Sequence, residues 1–469
     1  MAYPRKPKRK AKKQASKKKA RKQARRKRRP NYRKTLLDCQ REFLTPTAWK
    51  ACHQAAPTFQ ARRWKLMPLL MVGMLMLFLT APCRGERFEE ARQLWTAMMP
   101  NRRRVGQTLS GFLDALERVP RSAVRAMYPQ IRRQTRELVK EDWEVHGWTP
   151  FGVDGSRKDL PRCAKLERAF GIDGKGNNPQ MWITSLVHLK TGVPWAWRFG
   201  RQDASERHHF LQLLDTLPER SLVVADAGFT GYDVWAELDR REVCFLIRLS
   251  SLVTLYADFE VREDFQQGIV YLWLKTKPHQ KPLKLRLIRL QGKKDEQGRK
   301  QDVWLATNVL DPAQLSHRMA SDFFRMRWEQ EVFYRTYKCT LKQAKLSSRS
   351  VRQVTREAEL AMLATQLLLA QATWATQRAG SPTRASATKA LRQIRREFRD
   401  VGKRGLREGY LKRLGRAVRE HRPHRTSSKQ HRSWPRKRPH KLPGPPKIIR
   451  LTAELKFRFE QELGAAQAA

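Results

Sequence analysis

At Trp148 the apolar pattern of this 469-residue chain changes period. Between residues 35 and 147 the apolar positions recur at helical spacing, and beyond them they alternate or form short continuous runs, the signs of strands. A strand ends at Asp154, and Met181 to His188 and Val193 to Phe199 flank the turn Lys190-Thr191-Gly192. Ala204 to Leu214 then reads as a helix, Leu222 to Asp226 as a buried strand, Tyr232 to Arg240 as a helix and Val243 to Arg248 as another buried strand. Three strands, a helix, a strand, a helix and a strand admit few architectures, all of them α/β.

That order is the order of a ribonuclease-H-like fold, and it predicts that distant residues converge. Asp154 lies on the first strand and Asp226 ends the fourth, the end at which open α/β sheets place their chemistry. A third acid comes from the stretch Phe324 to Lys338. Arg327, Glu331 and Lys338 stand three, seven and fourteen residues after Phe324. At roughly 100° per residue these positions fall within about 60° of one helical face. Met319, Phe323, Met326, Phe333 and Tyr337 share another face, so one helix is predicted to pack through its aromatic stripe and present a carboxylate between cations. Carboxylates beside phosphate-holding cations suit metal-assisted chemistry on phosphates. The plain alternative is a solvated, salt-bridged helix face, common in E/K/R-rich helices.

With those residues in view, the sequence resembles the DDE transposases of the IS4 type. Asp154, Asp226 and Glu331 match the acidic triad in order and context, and the helix matches the Y-(2)-R-(3)-E-(6)-K signature with Phe324 at the Tyr position. Trp304-Leu305-Ala306-Thr307-Asn308, just before that helix, and Arg327-Trp328 within it are also family-like, and the resemblance runs from about Thr149 to Ser350. It implies an enzyme that cleaves element ends and joins the freed 3′-hydroxyl to target DNA by two-metal phosphoryl transfer. Asp154, Asp226 and Glu331 would be catalytic and would hold two Mg²⁺ or Mn²⁺ ions. Phe324, Arg327, Trp328 and Lys338 would contact DNA. The implied partners are double-stranded DNA, as terminal inverted repeats and as target, and a second copy of the chain in a paired-end complex. The implied place is the bacterial cytoplasm, on the nucleoid. The rival reading is a transposase-derived basic protein that binds DNA and no longer cuts. Phe324 keeps the aromatic face of Tyr and loses its hydroxyl.

Charge bears on partners. With 98 Lys and Arg against 44 Asp and Glu, the formal charge is +54, a field that favours nucleic acid and salt-sensitive binding. Charge alone fits a ribosomal or nucleoid protein as well. The six cysteines form no C-x-x-C pair, which argues against a zinc ribbon or disulfide scaffold; Cys163 and Cys244 are expected as buried thiols. His208-His209 is expected on a helix rather than on a metal. Asp159 and Asp203 are nearby acids outside the triad, the first in a charged loop and the second a helix cap. Leu66 to Ala81 is almost wholly apolar, yet its sixteen residues fall short of the roughly 20 a bilayer span needs, and Pro68 shortens the usable helix. It is expected as a core helix, without stable membrane association.

Five regions follow. Residues 1–34 are a Lys/Arg-rich arm with too little apolar surface to order alone. Residues 35–147 are helical; Thr108 to Leu116 resembles a turn and helix of the kind that can bind DNA. Residues 148–350 carry the α/β core with a β-rich insertion at about 252–309, either a DNA-contacting platform or a structural subdomain. Residues 351–379 form a packing helix. Residues 380–469 are a basic, Pro-rich tail, extended or disordered in part, ending in a short helix.

Overall fold

The structure is a computed structural model that describes residues 35–100, 105–140, 143–172, 178–292, 302–380, 384–401, 408–418 and 444–467. The expected basic arm, 1–34, and most of the Pro-rich stretch before residue 444 lie outside the described residues.

The N-terminal region is helical as its periodicity predicts: α1 Leu36–Phe43, α2 Pro46–Gln54, α3 Leu66–Phe78, α4 Arg84–Met98, α5 Leu109–Arg118, α6 Arg121–Arg125 and α7 Tyr128–Leu138. Local chemistry sets the ends. Thr35 and Asp38 form a capping box on α1, and the Thr108 hydroxyl accepts from the Gly111 N–H at the start of α5. The apolar α3 is buried along most of its length. Among the described residues, no helix is long and apolar enough to cross a membrane.

Strands β1 Thr149–Asp159, β2 Gln180–His188, β3 Val193–Gly200, β4 Ser221–Ala225, β5 Cys244–Arg248, β6 Thr254–Ala257, β7 Gln267–Leu272, β8 Leu283–Leu290, β9 Val303–Thr307 and β10 Lys447–Arg450 make one sheet. Its order is β10-β6-β7-β8-β9-β5-β4-β1-β2-β3. β1 pairs antiparallel with β2 and β2 with β3, whereas β1–β4 and β4–β5 are parallel. Between them lie α8 Ala164–Phe170, α9 Glu206–Leu211 and α10 Tyr232–Arg240. The strands of the insertion at 252–309 continue the core sheet, because β9 returns to pair antiparallel with β5 and β8 pairs with β9.

The helix predicted across Phe324 to Lys338 is broken into three. α11 His317–Met326 and α12 Trp328–Arg335 meet at Arg327, and a π-helical turn, Thr336–Thr340, follows. The aromatic stripe still holds: Phe323, Phe333 and Tyr337 are fully buried. The π turn inserts extra residues per turn, so Lys338 does not keep the angle that a uniform 100° step gives it.

Helix α13 Val351–Arg378 runs through the middle, about 42 Å long at 1.5 Å per residue, and is buried on nearly every side, polar members such as Arg356, Glu359 and Gln366 included. It packs on β3, on several N-terminal helices and on two helices from the basic segment, α14 Ala387–Arg399 and α15 Tyr410–Val418. The basic, Pro-rich composition of that segment predicts a tail. Leu391, Ile394, Phe398, Tyr410, Leu414 and Val418 instead join the core. At the far edge, β10 pairs with β6, and α16 Ala453–Gln467 buries Phe459 against Tyr256 and Trp273. The last helix therefore packs.

Candidate active site

Pairing register brings the first two acids together. In the parallel pair β1–β4, Gly152 lies opposite Val224, so Asp154 and Asp226 each stand two residues further on. Two residues return to the same face of a strand, and neighbouring strands run about 4.8 Å apart. That face is the one on which α11 packs, against Leu189, Leu222 and Val224, and which Gln330 of α12 reaches at Gly152. Gly152 permits the approach: a Cβ there would meet Leu189 Cδ2 at 2.7 Å and Gln330 Oε1 at 3.1 Å. Gln330 donates to the Ser185 hydroxyl at 2.9 Å and the Ser185 carbonyl at 3.2 Å, and Ser185 lies opposite Asp154 in β2. The neighbour of Gln330 in sequence is Glu331.

Arg327 ties the acids electrostatically. Its guanidinium lies 3.8 Å from an Asp226 carboxylate oxygen and 3.5 Å from one of Glu331. Arg248, at the end of β5, reaches Asp226 at 4.0 Å. The Asp154 carboxyl is the buried member. Burial pushes its pKa up to about 6 against the Gly155 N–H and Arg327, and the charges of Asp226 and Glu331 push the same way. Tyr334 on α12 donates its hydroxyl to the Asp154 carbonyl at 2.7 Å and accepts from Ser185 at 3.0 Å, fastening the helix to the strand.

The DNA-contacting candidates differ in their surroundings. Phe324 is half-buried against the small apolar cluster under α11, with the Arg327 guanidinium 5.7 Å from its ring centroid. Trp328 is exposed. Lys338 is half-buried, and that burial lowers its pKa while Asp159 and Asp154 hold it up. Asp159 ends β1, accepts from the Gln180 side chain and stays outside the acid group. Asp203 is not the helix cap: Ser205 caps α9 by accepting from the His208 N–H, and Asp203 pairs with Arg201 at 3.3 Å. His209 hydrogen-bonds Thr184 and His208 bonds Gln212, as helix residues do. Cys163 and Cys244 are half-buried rather than buried.

Glu206 is the acid that sequence reasoning missed. Its carboxylate lies against the backbone of Gly155, where a Cβ would meet Glu206 Oε1 at 2.6 Å. Burial and the Asp154 charge push its pKa up to about 7, against Arg157 and Arg207. In the sequence it stands directly after a Ser cap, as an ordinary first-turn acid does, and carries no other signal.

All of the converging donors are carboxylates, the oxygen set that a hard divalent cation takes. A carboxyl whose pKa is pushed up mainly by burial, and further by two other carboxylates, is one whose charged form such an ion would favour. Among the described residues, no three His, Cys, Asp or Glu side chains stand close enough together to hold a metal ion as they are; the Arg327 guanidinium lies among the acids. The donor chemistry thus fits a divalent ion, with a cationic side chain already in its neighbourhood.

Residues 148–367 match the family model of the transposase DDE domain. The match supports a DDE transposase. Among solved structures, the chain is similar to the cryo-EM structure of a piggyBac transposase synaptic complex with hairpin DNA, at 11% identity and a TM-score of 0.43, over 85% of this chain and 88% of that one. No curated protein matches the chain.

Proposed function

We propose that this chain is an IS4-type DDE transposase that cuts element ends and joins the 3′-hydroxyl to target DNA. The observation that carries the proposal is the meeting of Asp154, Asp226 and Glu331, from β1, the end of β4 and α12, around Arg327. The strand order β3-β2-β1-β4-β5, antiparallel then parallel, supports a ribonuclease-H-like core. Asp154, Asp226 and Glu331 would hold Mg²⁺ or Mn²⁺, two ions by family resemblance. Bound there, the ions supply an activated nucleophile and charge for the leaving oxygen.

The chain's own residues supply the rest. Arg327 and Lys338 hold phosphates beside the cut, and Arg327 turns from its carboxylate partners to do so. The exposed Trp328 stacks on an unpaired base, a contact worth about 1–3 kcal/mol. Tyr334, Ser185 and Gln330 keep α12 in register with β1. A second copy completes a paired-end complex on double-stranded DNA, on the nucleoid of a bacterial cytoplasm.

One reading competes. A DNA-binding protein that no longer cuts is favoured by Phe324 in place of Tyr and by the bridge from Arg327 to two of the acids. Strand-cleavage assays on DNA carrying the gene's flanking repeats, with Mg²⁺ or Mn²⁺ and a gel shift alongside, separate the two. The enzyme reading expects cutting by the wild type and none by Asp226→Asn, with binding retained in both. Binding without cutting by the wild type gives the case to the rival.

A further inference from the structure

A cleft of about 740 Å³ opens between α3 and α4 and the segment that follows Lys338. It lies apart from the acids. Arg84 and Arg87 of α4, Arg162 from the loop after β1, Lys342, Lys345 and Arg349 from the loop after Lys338, and Arg395 of α14 line it. Among the described residues, the single carboxylate lining it is Glu357, and that one is engaged. It accepts the backbone N–H groups of Ser347 at 3.0 Å and Ser348 at 2.9 Å and lies 3.8 Å from Arg84. Glu357 thereby pins the loop that carries Lys345 and Arg349. Lys342, Lys345 and Arg349 are exposed and form no ion pair with any described residue. Like charges gathered without counter-charge are unfavourable unless an anion shares them.

The cleft is fixed relative to the acids. The Asp159 N–H donates to the Ala344 carbonyl at 3.3 Å and the Leu346 N–H to the Asp159 carbonyl at 3.1 Å. The basic wall is thus stitched to the end of β1, five residues beyond Asp154, or about 17 Å at 3.3–3.4 Å per residue. Duplex DNA advances about 3.4 Å per base pair, so this offset spans about five base pairs.

We propose that this cleft is a second DNA-backbone site, holding phosphates about five base pairs from the point of cleavage. Its cations come from four separate chain segments, which suits the repeated phosphates of a backbone better than one compact anion. The proposal rests on the reading that the acids act on DNA, and its test separates the two. The full-length triple variant Lys342→Gln/Lys345→Gln/Arg349→Gln is compared with a control, Lys447→Gln/Arg450→Gln/Lys456→Gln, three exposed cations on β10 and α16 at the far edge of the sheet. Binding to a duplex of about 30 base pairs is measured between about 50 and 200 mM salt. Each phosphate contact contributes about 0.9 to the slope of log affinity against log salt, so the cleft variant is expected to lose about 2–3 from it. The control should lose less than one such contact, and Lys345→Arg alone should keep the wild-type slope. Equal losses in cleft and control variants, or no loss in the cleft variant, overturn the proposal. If cutting depends on Asp226 while the slope is unmoved, the cleft falls and the active-site reading stands. If the cleft variant loses that slope while the wild type cuts nothing, the cleft stands and the active-site reading falls.

Discussion

Glu359 and the acids around Asp154 both sit among arginines and a tyrosine, yet the two groups are built differently. Glu359, in the middle of α13, is fully buried. It accepts from Trp197 at 3.0 Å, from Arg125 at 3.0 Å, from Arg121 at 3.5 Å and from the Tyr128 hydroxyl. Those partners come from α6, the start of α7 and β3, so one carboxylate joins the N-terminal helices to the sheet. Among the described residues, the Asp154 carboxylate accepts the N–H of the next residue, Gly155, and burial, with two more carboxylates behind it, raises its pKa. A buried charge that is fully paired holds elements together; one left short of partners is free to take a substrate or an ion, and perturbed acids of this kind gather at functional sites.

The largest expected effect tests the open group. Asp154→Asn, Asp226→Asn or Glu331→Gln should each cut strand cleavage by about a thousandfold or more, since metal-ion charge stabilisation is worth several kcal/mol. DNA affinity should change little, because the basic surface supplies it. Near-wild-type cutting by any one variant in a cleavage assay removes that residue from the site.

Glu359→Gln is expected to do the reverse. Removing one partner of a buried ionic group costs about 3–5 kcal/mol, here by leaving Arg125 and Arg121 without their counter-charge. Urea unfolding should show that loss, while cleavage by the folded fraction stays within about threefold of wild type. A Glu359→Gln protein of wild-type stability would erase the contrast.

The contrast also has a pH signature. The carboxyls of Asp154 and Glu206 have folded pKa values raised to about 6 and about 7. A raised carboxyl contributes stability that is full below its unfolded value, near 4, and is lost as pH rises through the folded value. In cation-free protein, Asp154→Asn should therefore be more stable than wild type at pH 7, by up to about 2 kcal/mol, with the gap closing below about pH 4. Melting temperatures of the two proteins across this range check the sign. An Asn variant less stable than wild type at pH 7, with that deficit closing on acidification, would mean that Asp154 is a paired, stabilising acid after all.

Much of this was legible in the sequence, for a definite reason. Buried strands leave apolar runs, so β1 to β5 and the positions of Asp154 and Asp226 could be read, and α10 falls where its periodicity puts it, at Tyr232–Arg240. Pairing partners are set by tertiary packing and leave no periodic trace, so the return of β9 to β5 could not be read. Arg392, Arg395, Arg396 and Arg399 masked the apolar stripe Leu391, Ile394 and Phe398 of α14. The π turn before Lys338 and the approach of Glu206 to Gly155 depend on contacts between elements, to which a single sequence gives no access.

The smallest expected effect concerns Phe324, which stands at the Tyr position of the IS4-type signature that the helix resembles. The ring is half-buried under α11 and faces the Arg327 guanidinium at 5.7 Å. A cation over an aromatic face at an exposed site is worth about 0.5–1 kcal/mol. Phe324→Leu keeps an apolar side chain in the cluster and removes the face. End-binding should then weaken about two- to fivefold, with Arg327 less well held, while the melting temperature moves little. Phe324→Tyr keeps the face and adds a hydroxyl. If that hydroxyl meets a phosphate, the gain is that of a hydrogen bond to a charged group, about 1.5–3 kcal/mol, or roughly tenfold and more in affinity. Were the hydroxyl buried in the cluster without a partner, stability would fall instead. The ring is only partly covered, so tighter end-binding at unchanged stability is expected. Filter binding on end-containing DNA and a melting curve for each variant decide the matter. Lower stability without tighter binding in Phe324→Tyr would assign the ring to the core alone.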